Sequence, residues 1–328
     1  MKTLMTVQEA SKLILAGKKM IIAGDENLLA KLPHGEWIGG TIPYFMSENG
    51  GLHTQEQVQA AVLPDVAVSA NIRAYGEGEL ERIPADYASH GFSYVLIPAF
   101  TGTHKKFAQY CSTWPGVFDR PLVGWIAGVN VQDIGKILPK TVNGKNGEIS
   151  PSNAVVMHVE LPANTIAKAY IINLFSQSNG DTITFPASGF EVTECTINGK
   201  PQSLAGYIVS QKIDQKLPLV ADYMGAMVNV SIQAVDTTGG KVSFYAPVFQ
   251  GIEYKFALPV ADYEAAFLEK LGSRQIHPVF SCNCILNYLY AHLEGKKTGD
   301  IVGPMTFGEI AYMLLNQTMV YLTIEPKA

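Results

Sequence analysis

Between residues 154 and 197 four apolar runs follow one another, at 154–161, 166–176, 182–186 and 190–197, with links too short to hold a helix. Strands joined by such links pair antiparallel, because a parallel crossover needs about a dozen or more residues. The chain before this stretch reads differently. Thr6-Val7-Gln8-Glu9 is a capping box that predicts a short helix ending near Gly17, followed by a strand over 19–23. A short helical piece through Leu29 and a turn at Pro33-His34-Gly35 come next. Apolar runs at 66–70, 94–98 and 122–127 then alternate with helical stretches at 77–90 and 104–111, the pattern of a mixed, partly parallel sheet. Residues 141–152, rich in Gly, Asn and Lys, read as a solvated loop.

The last third repeats the theme. Runs at 228–235 and 241–246 read as a hairpin across Asp236-Thr237-Thr238-Gly239-Gly240, with a strand at 254–258 after it. A helix over 262–271, a strand over 278–282, a helix through Leu293 and a final strand over 317–324 complete the reading. Asn198-Gly199 is the best turn dipeptide, since both residues tolerate positive φ, and it leads into a helical-looking 203–209. The class is α+β: two packed units with large mixed and antiparallel sheets covered by helices, for which a layered α-β-β-α stack is one arrangement. The expected units are 1–198 and 199–328.

Charged residues make up 16% of the chain, against roughly 25% in ordinary soluble domains, and 47% of residues are hydrophobic. A large share of the chain must be buried. With 24 Lys and Arg against 29 Asp and Glu and no basic run, nucleic-acid binding is not expected. A membrane span is not expected either: 310–324 contains Asn316, Gln317, Thr318 and Thr323 and falls short of the ~20 apolar residues required. Gln8, Glu9, Ser11 and Lys12 interrupt any signal-peptide core, so Cys111, Cys195, Cys282 and Cys284 read as free thiols of a cytoplasmic protein.

The common catalytic signatures are missing. No phosphate-binding P-loop, H-E-x-x-H, C-x-x-C or G-x-S-x-G occurs, and Tyr75-Gly76-Glu77-Gly78-Glu79 puts carboxylates where a pyrophosphate would sit. No catalytic residue and no metal site is assigned. The most unusual run is Trp37-Ile38-Gly39-Gly40-Thr41-Ile42-Pro43-Tyr44-Phe45. Its glycines, hydroxyl and aromatics suit the floor of a small-molecule pocket, or a strand that packs tightly at Gly39-Gly40. Arg73, one of only four arginines (73, 82, 120 and 274), could meet a ligand anion or one of Glu77, Glu79 and Glu81. In Val279-Phe280-Ser281-Cys282-Asn283-Cys284 both thiols fall on one strand face, either as inert core or, with His277 or another histidine, as a soft-metal or nucleophile site. None of the seven histidines (34, 53, 90, 104, 158, 277 and 292) has a partner at ligand spacing; His158 reads as a hydrogen-bonded sheet residue, and any of the seven could be a haem ligand.

Phe280-Ser281-Cys282-Asn283, Gly303-Pro304-Met305-Thr306-Phe307-Gly308-Glu309-Ile310 and Leu315-Asn316-Gln317-Thr318-Met319 resemble the closing pattern of FIST sensory proteins. That pattern is an F-S-C run, a glycine–aromatic–x-T-x-G-E run ending in Ile or Leu, and an H-N-x-T strand. Phe190-Glu191-Val192-Thr193 through Ile197-Asn198-Gly199-Lys200-Pro201 is similar to the family's junction, and Ile38-Gly39-Gly40-Thr41 to its N-terminal glycine–threonine element. The resemblance covers about residues 20–325. The family's Arg after F-S-C-x-G is replaced around Cys284-Ile285, and Ile42-Pro43-Tyr44 stands where the family has a small residue, Gly and Glu. These departures fall at pocket positions, so ligand identity does not carry over.

The resemblance implies a stand-alone bacterial sensor with a FIST-N-like α/β unit (1–198) and a FIST-C-like α+β unit (199–328). It would be non-enzymatic, bind a small molecule such as an amino acid or other small anion, and signal through a separate protein. Some FIST proteins bind haem, which leaves a haem-based gas sensor as an alternative beside a thiol-dependent enzyme centred on Cys282 or Cys284. The expected pocket joins the two glycine–threonine segments. Tyr44, Phe45 and Phe307 would be its walls, with Gly39 and Gly40 between them. Thr41, Thr306, Asn283 and Cys282 would supply its neutral polar groups, and Arg73 or Glu309 a charge. The competing reading makes both segments core and Glu309 a solvated residue before a strand.

Overall fold

Thr6 caps the first helix, Val7–Leu15, in the reciprocal manner its sequence requires. Glu9 N–H donates to the Thr6 hydroxyl (3.2 Å) and Thr6 N–H donates to the Glu9 carboxylate (2.7 Å), satisfying amides that a helix start leaves orphaned. The computed structural model describes residues 3–223, 225–272 and 276–327, so Arg274 lies outside the described residues. Strand outweighs helix by more than two to one among the described residues.

The described strands form five sheets. The first runs Leu4–Met5, Val58–Val62, Met20–Gly24, Trp37–Thr41, Thr141–Asn143, Glu148–Ser150. The second runs Met313–Leu315, Glu309–Ala311, Leu122–Ala127, Gly91–Pro98, Ala154–Glu160, Ser69–Tyr75. The third runs Thr165–Asn173, Thr318–Pro326, Phe280–Cys284, Gly303–Thr306, Tyr44–Ser47, Gly50–His53. The second and third therefore mix strands from both ends of the sequence. The remaining two sheets lie between Ile183 and Phe256 and share a core of their own, which includes Phe185, Phe244 and Tyr254.

Period-two alternation sets the layers. Met20 and Ile22 pack under the helices with Ala10, Ile14 and Leu29, whereas Ile21 and Ala23 point the other way into the main core. On the second sheet Val95, Ile97 and Ile126 meet helix Gly102–Tyr110 through Phe107, while Tyr94, Leu96 and Trp125 join the same main core. The order is helix, sheet, sheet, helix. The third sheet closes the core with Phe280, Cys282 and Leu322, and its far face meets Phe267 of helix Tyr263–Leu271. The fold is α+β. No helix among the described residues is long and apolar enough to cross a membrane.

Several local expectations change. The segment 141–152 is a strand pair rather than a solvated loop: Thr141–Asn143 pairs with Ile38–Gly40 on one side and Glu148–Ser150 on the other. Its Gly/Asn/Lys tip is the exposed turn, which dominated the composition. Asn198 (φ 48°) and Gly199 (φ 78°) form the turn of a hairpin between Glu194–Ile197 and Lys200–Ser203, so a partner strand does follow before helix Leu204–Ser210. The place where one unit was expected to give way to the next is thus inside one sheet. The strand expected at 66–70 is Ser69–Tyr75, which puts Arg73 within it, and 77–90 forms 3₁₀ turns at Glu77–Arg82 and Pro84–Asp86.

Candidate functional site

Gly39 and Gly40 sit in a central strand, paired in parallel with Met20–Gly24 and antiparallel with Thr141–Asn143. A Cβ on Gly40 would lie 2.9 Å from Trp125 Nε1, and one on Gly39 would lie 2.9 Å from the Trp37 ring. Both glycines make room for indoles. Thr41 accepts from Lys140 N–H through its hydroxyl (2.9 Å) and from Gly128 N–H through its carbonyl (2.7 Å). Tyr44 donates its hydroxyl to Asn130 Oδ1 (3.2 Å), and Phe45 is fully buried core. Arg73 is elsewhere. It pairs with Asp86 at 2.8 Å, an internal acid but none of the three that follow it in sequence, and lies over the Tyr75 ring.

Strand Phe280–Cys284 carries the other group. Cys282 donates its thiol to Gly124 O (3.3 Å). Asn283 is consumed locally: its Oδ1 accepts from Cys284 N–H (2.7 Å) and Asn287 Nδ2 (2.9 Å), and its amide meets the Tyr263 hydroxyl. Thr306 lies beside Asn283 O and Gly308 O, both within 3.2 Å of its hydroxyl.

Glu309 is fully buried, not solvated. Its carboxylate accepts from Thr318 N–H (3.1 Å), the Thr318 hydroxyl (2.8 Å) and the Thr306 hydroxyl (3.4 Å), and hydrogen-bonds the Cys284 thiol. Burial outweighs these bonds and raises its pKa to about 8, so the group is mostly protonated at neutral pH. Burial first, and then Glu309, push the Cys282 and Cys284 thiols well above their ordinary value. N–H groups of Leu286 and Gln317 near the Cys284 sulfur pull the other way without prevailing. Such thiols are poor nucleophiles at neutral pH.

Cys284 and Phe307 line a cavity of about 390 Å³, within the ~300–1,000 Å³ usual for small-molecule sites. Its walls are mostly apolar, including Phe100, Phe190, Tyr245 and Leu286, with His104 and Lys105 among the polar groups. Phe307 stands where it does because Gly128 has no side chain: a Cβ there would lie 2.3 Å from the Phe307 ring. Gly128 N–H in turn holds Thr41 O, and Glu309 is the register partner of Trp125. The two glycine–threonine segments therefore flank strand Leu122–Ala127. Of the residues expected from sequence, Phe307 is in the cavity wall; Gly39, Gly40 and Thr41 are not.

His104 is what sequence reasoning missed. It enters with helix Gly102–Tyr110, whose N-cap Thr101 accepts from His104 N–H (3.1 Å). Phe100 is held at φ 65°, an unusual conformation for a bulky residue, and its N–H donates to His104 Nδ1 (3.3 Å). Nδ1 is thus an acceptor, which places the ring proton on Nε2. Nε2 is buried and has no hydrogen-bond partner. Burial, aided by Lys105, lowers the imidazole pKa to about 4, so the ring is neutral at pH 7. The wall thus combines a neutral N–H donor with the neighbouring lysine ammonium.

The chain belongs to a family of unknown function, DUF6976, whose model matches residues 5–325. No curated protein matches it in sequence.

Proposed function

We propose that this protein is a non-enzymatic binder of a small, largely apolar molecule that carries a hydrogen-bond acceptor or anionic group. The observation that carries this reading is the cavity behind Phe307, where aromatic walls surround a buried His104 N–H without a partner and the ammonium of Lys105. An unpartnered buried donor costs about 1–3 kcal/mol, which a ligand acceptor would recover. Glu191 on the same wall is paired with Lys241 at 3.1 Å, and Lys105 adds preference for a negative acceptor such as the carboxylate of an apolar amino acid or a short fatty acid. The resemblance to FIST proteins extends the proposal to a sensor whose occupancy is read by a separate signalling protein.

Two other readings draw less support. A thiol-dependent enzyme needs an accessible thiolate, whereas burial and Glu309 hold both thiols protonated. Haem ligation at His104 needs a free lone pair on Nε2, and the Phe100 N–H bond to Nδ1 puts the proton there instead.

Isothermal titration with hexanoate and L-leucine, set against 1-hexanol, tests the proposal. A carboxylate should bind at least tenfold more tightly than the alcohol, and Lys105→Met and His104→Phe should each weaken it. Equal binding of hexanoate and hexanol, or carboxylate binding untouched by both substitutions, would refute it. Fast labelling of Cys284 by iodoacetamide at pH 7 would favour thiol chemistry instead.

A further inference from the structure

A second cavity, of about 1160 Å³, lies between the first sheet and the central strands Phe280–Cys284 and Gly303–Thr306 of the third, and none of its lining residues belongs to the cavity at Phe307. Gln59 pairs with Ala23, and Ala23 with Gly40, across neighbouring strands. Aligned residues of adjacent strands share a face, so these form one row, roughly 10 Å long at ~4.8 Å per strand. Gln59 stands at one end. Trp125 covers the other, its Nε1 over Gly40 and its ring stacked on Phe280 (centroids 5.9 Å apart, planes at 11°).

Each end offers one unused polar atom. Gln59 Nε2 donates to Met46 O (3.0 Å) and to the Thr3 hydroxyl (3.3 Å), which fixes the amide and leaves Oε1 as the free acceptor. Gln59 Oε1 and Trp125 Nε1 are both buried and without a hydrogen-bond partner. Gln59, Ala23 and Trp125 all line this cavity. An acceptor and a donor thus stand at opposite ends of a row whose middle residue is only a methyl group.

We propose that this cleft binds a neutral secondary amide with apolar arms. The N–H of a trans amide points away from its C=O, so one planar group can donate to Gln59 Oε1 and accept from Trp125 Nε1–H. Ala23 and Ala61 keep the cleft open where large residues would interdigitate, and Ile21, Val279 and Phe280 give the arms an apolar bed. The wall's charged groups include Glu48, Lys297 and Asp300 besides Lys18 and Asp65, which pair at 2.7 Å; the row from Gln59 to Trp125 carries none, which suits an uncharged group there.

The chain has three tryptophans, so the indole N–H resonance of Trp125 can be assigned in a ¹⁵N–¹H spectrum with Trp125→Phe. Titration with N-butylpentanamide should shift that resonance, and the amide should bind at least tenfold more tightly than butyl pentanoate, the ester of the same shape without an N–H. Gln59→Leu should erase that preference. Equal binding of amide and ester, or an unmoved Trp125 resonance at saturating amide, would overturn the proposal. The amide–ester comparison uses the unsubstituted protein and stands whether or not either variant folds.

Discussion

Gly40 and Gly308 flank the same strand, Leu122–Ala127, and a Cβ on either would crowd a neighbour, Trp125 Nε1 at 2.9 Å for Gly40 and Leu314 Cδ1 at 2.7 Å for Gly308, but the groups around them differ. Gly40 makes space: its missing side chain is where the Trp125 indole lies, and the residues on either side of it are bound into a sheet. Gly308 lies among polar groups. Its carbonyl accepts from Ile126 N–H (2.8 Å) and lies within reach of the Thr306 hydroxyl, while the next residue carries a buried carboxyl tied to Thr306, Thr318 and Cys284. Similar runs of Gly and Thr thus produce a packing joint in one place and a polar knot in the other. What separates them is how many donors and acceptors the surrounding strands leave to be satisfied.

Substitutions should separate the two most clearly at Glu309. Glu309→Ala strands the Thr318 N–H and hydroxyl in the core, and urea denaturation should report a loss of about 3–5 kcal/mol. Gly40→Ala should cost less, about 2–3 kcal/mol, because a Cβ 2.9 Å from Trp125 Nε1 overpacks without orphaning any group. A shift in the emission of Trp125 should accompany it. If Gly40→Ala proved the more damaging of the two, the contrast between joint and knot would fail.

Acidity provides a subtler separation. Folded Glu309 keeps its proton up to about pH 8, whereas the unfolded carboxyl releases it near 4.5. Between those values the folded state binds more protons, so stability falls as pH rises. His104 and His158 act oppositely: both are lowered to about 4 by burial, so their contribution is lost as pH falls below 6.5. Stability should peak near pH 6.5 and decline by about 1 kcal/mol toward pH 8, the tail of the two histidines offsetting part of the Glu309 effect. In Glu309→Gln, which keeps an acceptor for Thr318 but cannot ionise, that alkaline decline should vanish from melts taken across the range; its persistence would assign it to another group. The smallest effect belongs to Thr41→Val. Losing the acceptor for Lys140 N–H should lower the midpoint of denaturation by an amount equivalent to about 1 kcal/mol, with no change in pH profile.

Features that depend on neighbours in sequence were legible in it. The capping box at Thr6 and Glu9 and the strand Leu122–Ala127 need only local pattern. The hairpin at 141–150 was hidden because its polar tip outweighs two short strands whose pairing with Gly39 and Gly40 is decided a hundred residues away. Glu309 allowed two sequence readings, a pocket charge or a solvated residue before a strand, and the partners that permit its burial, Cys284 among them, are brought to it by the fold. His104 carried one local sign, a threonine three residues before it at a helix start. Nothing nearby could announce that Phe190, Tyr245 and Leu286 would gather around it.

The strand Thr318–Pro326 sits between Thr165–Asn173 and Phe280–Cys284, and Glu309–Ala311 seals the flank of Leu122–Ala127. During synthesis, strands emerging early must therefore wait for partners made one to two hundred residues later. Loop closure over such separations is slow, and an apolar edge left open meanwhile is prone to join the wrong chain. Fragments cut at residue 198 should thus be poor folders. On the ribosome, the nascent chain would depend on factors that shield exposed edges until residue 326 is free to close the sheet.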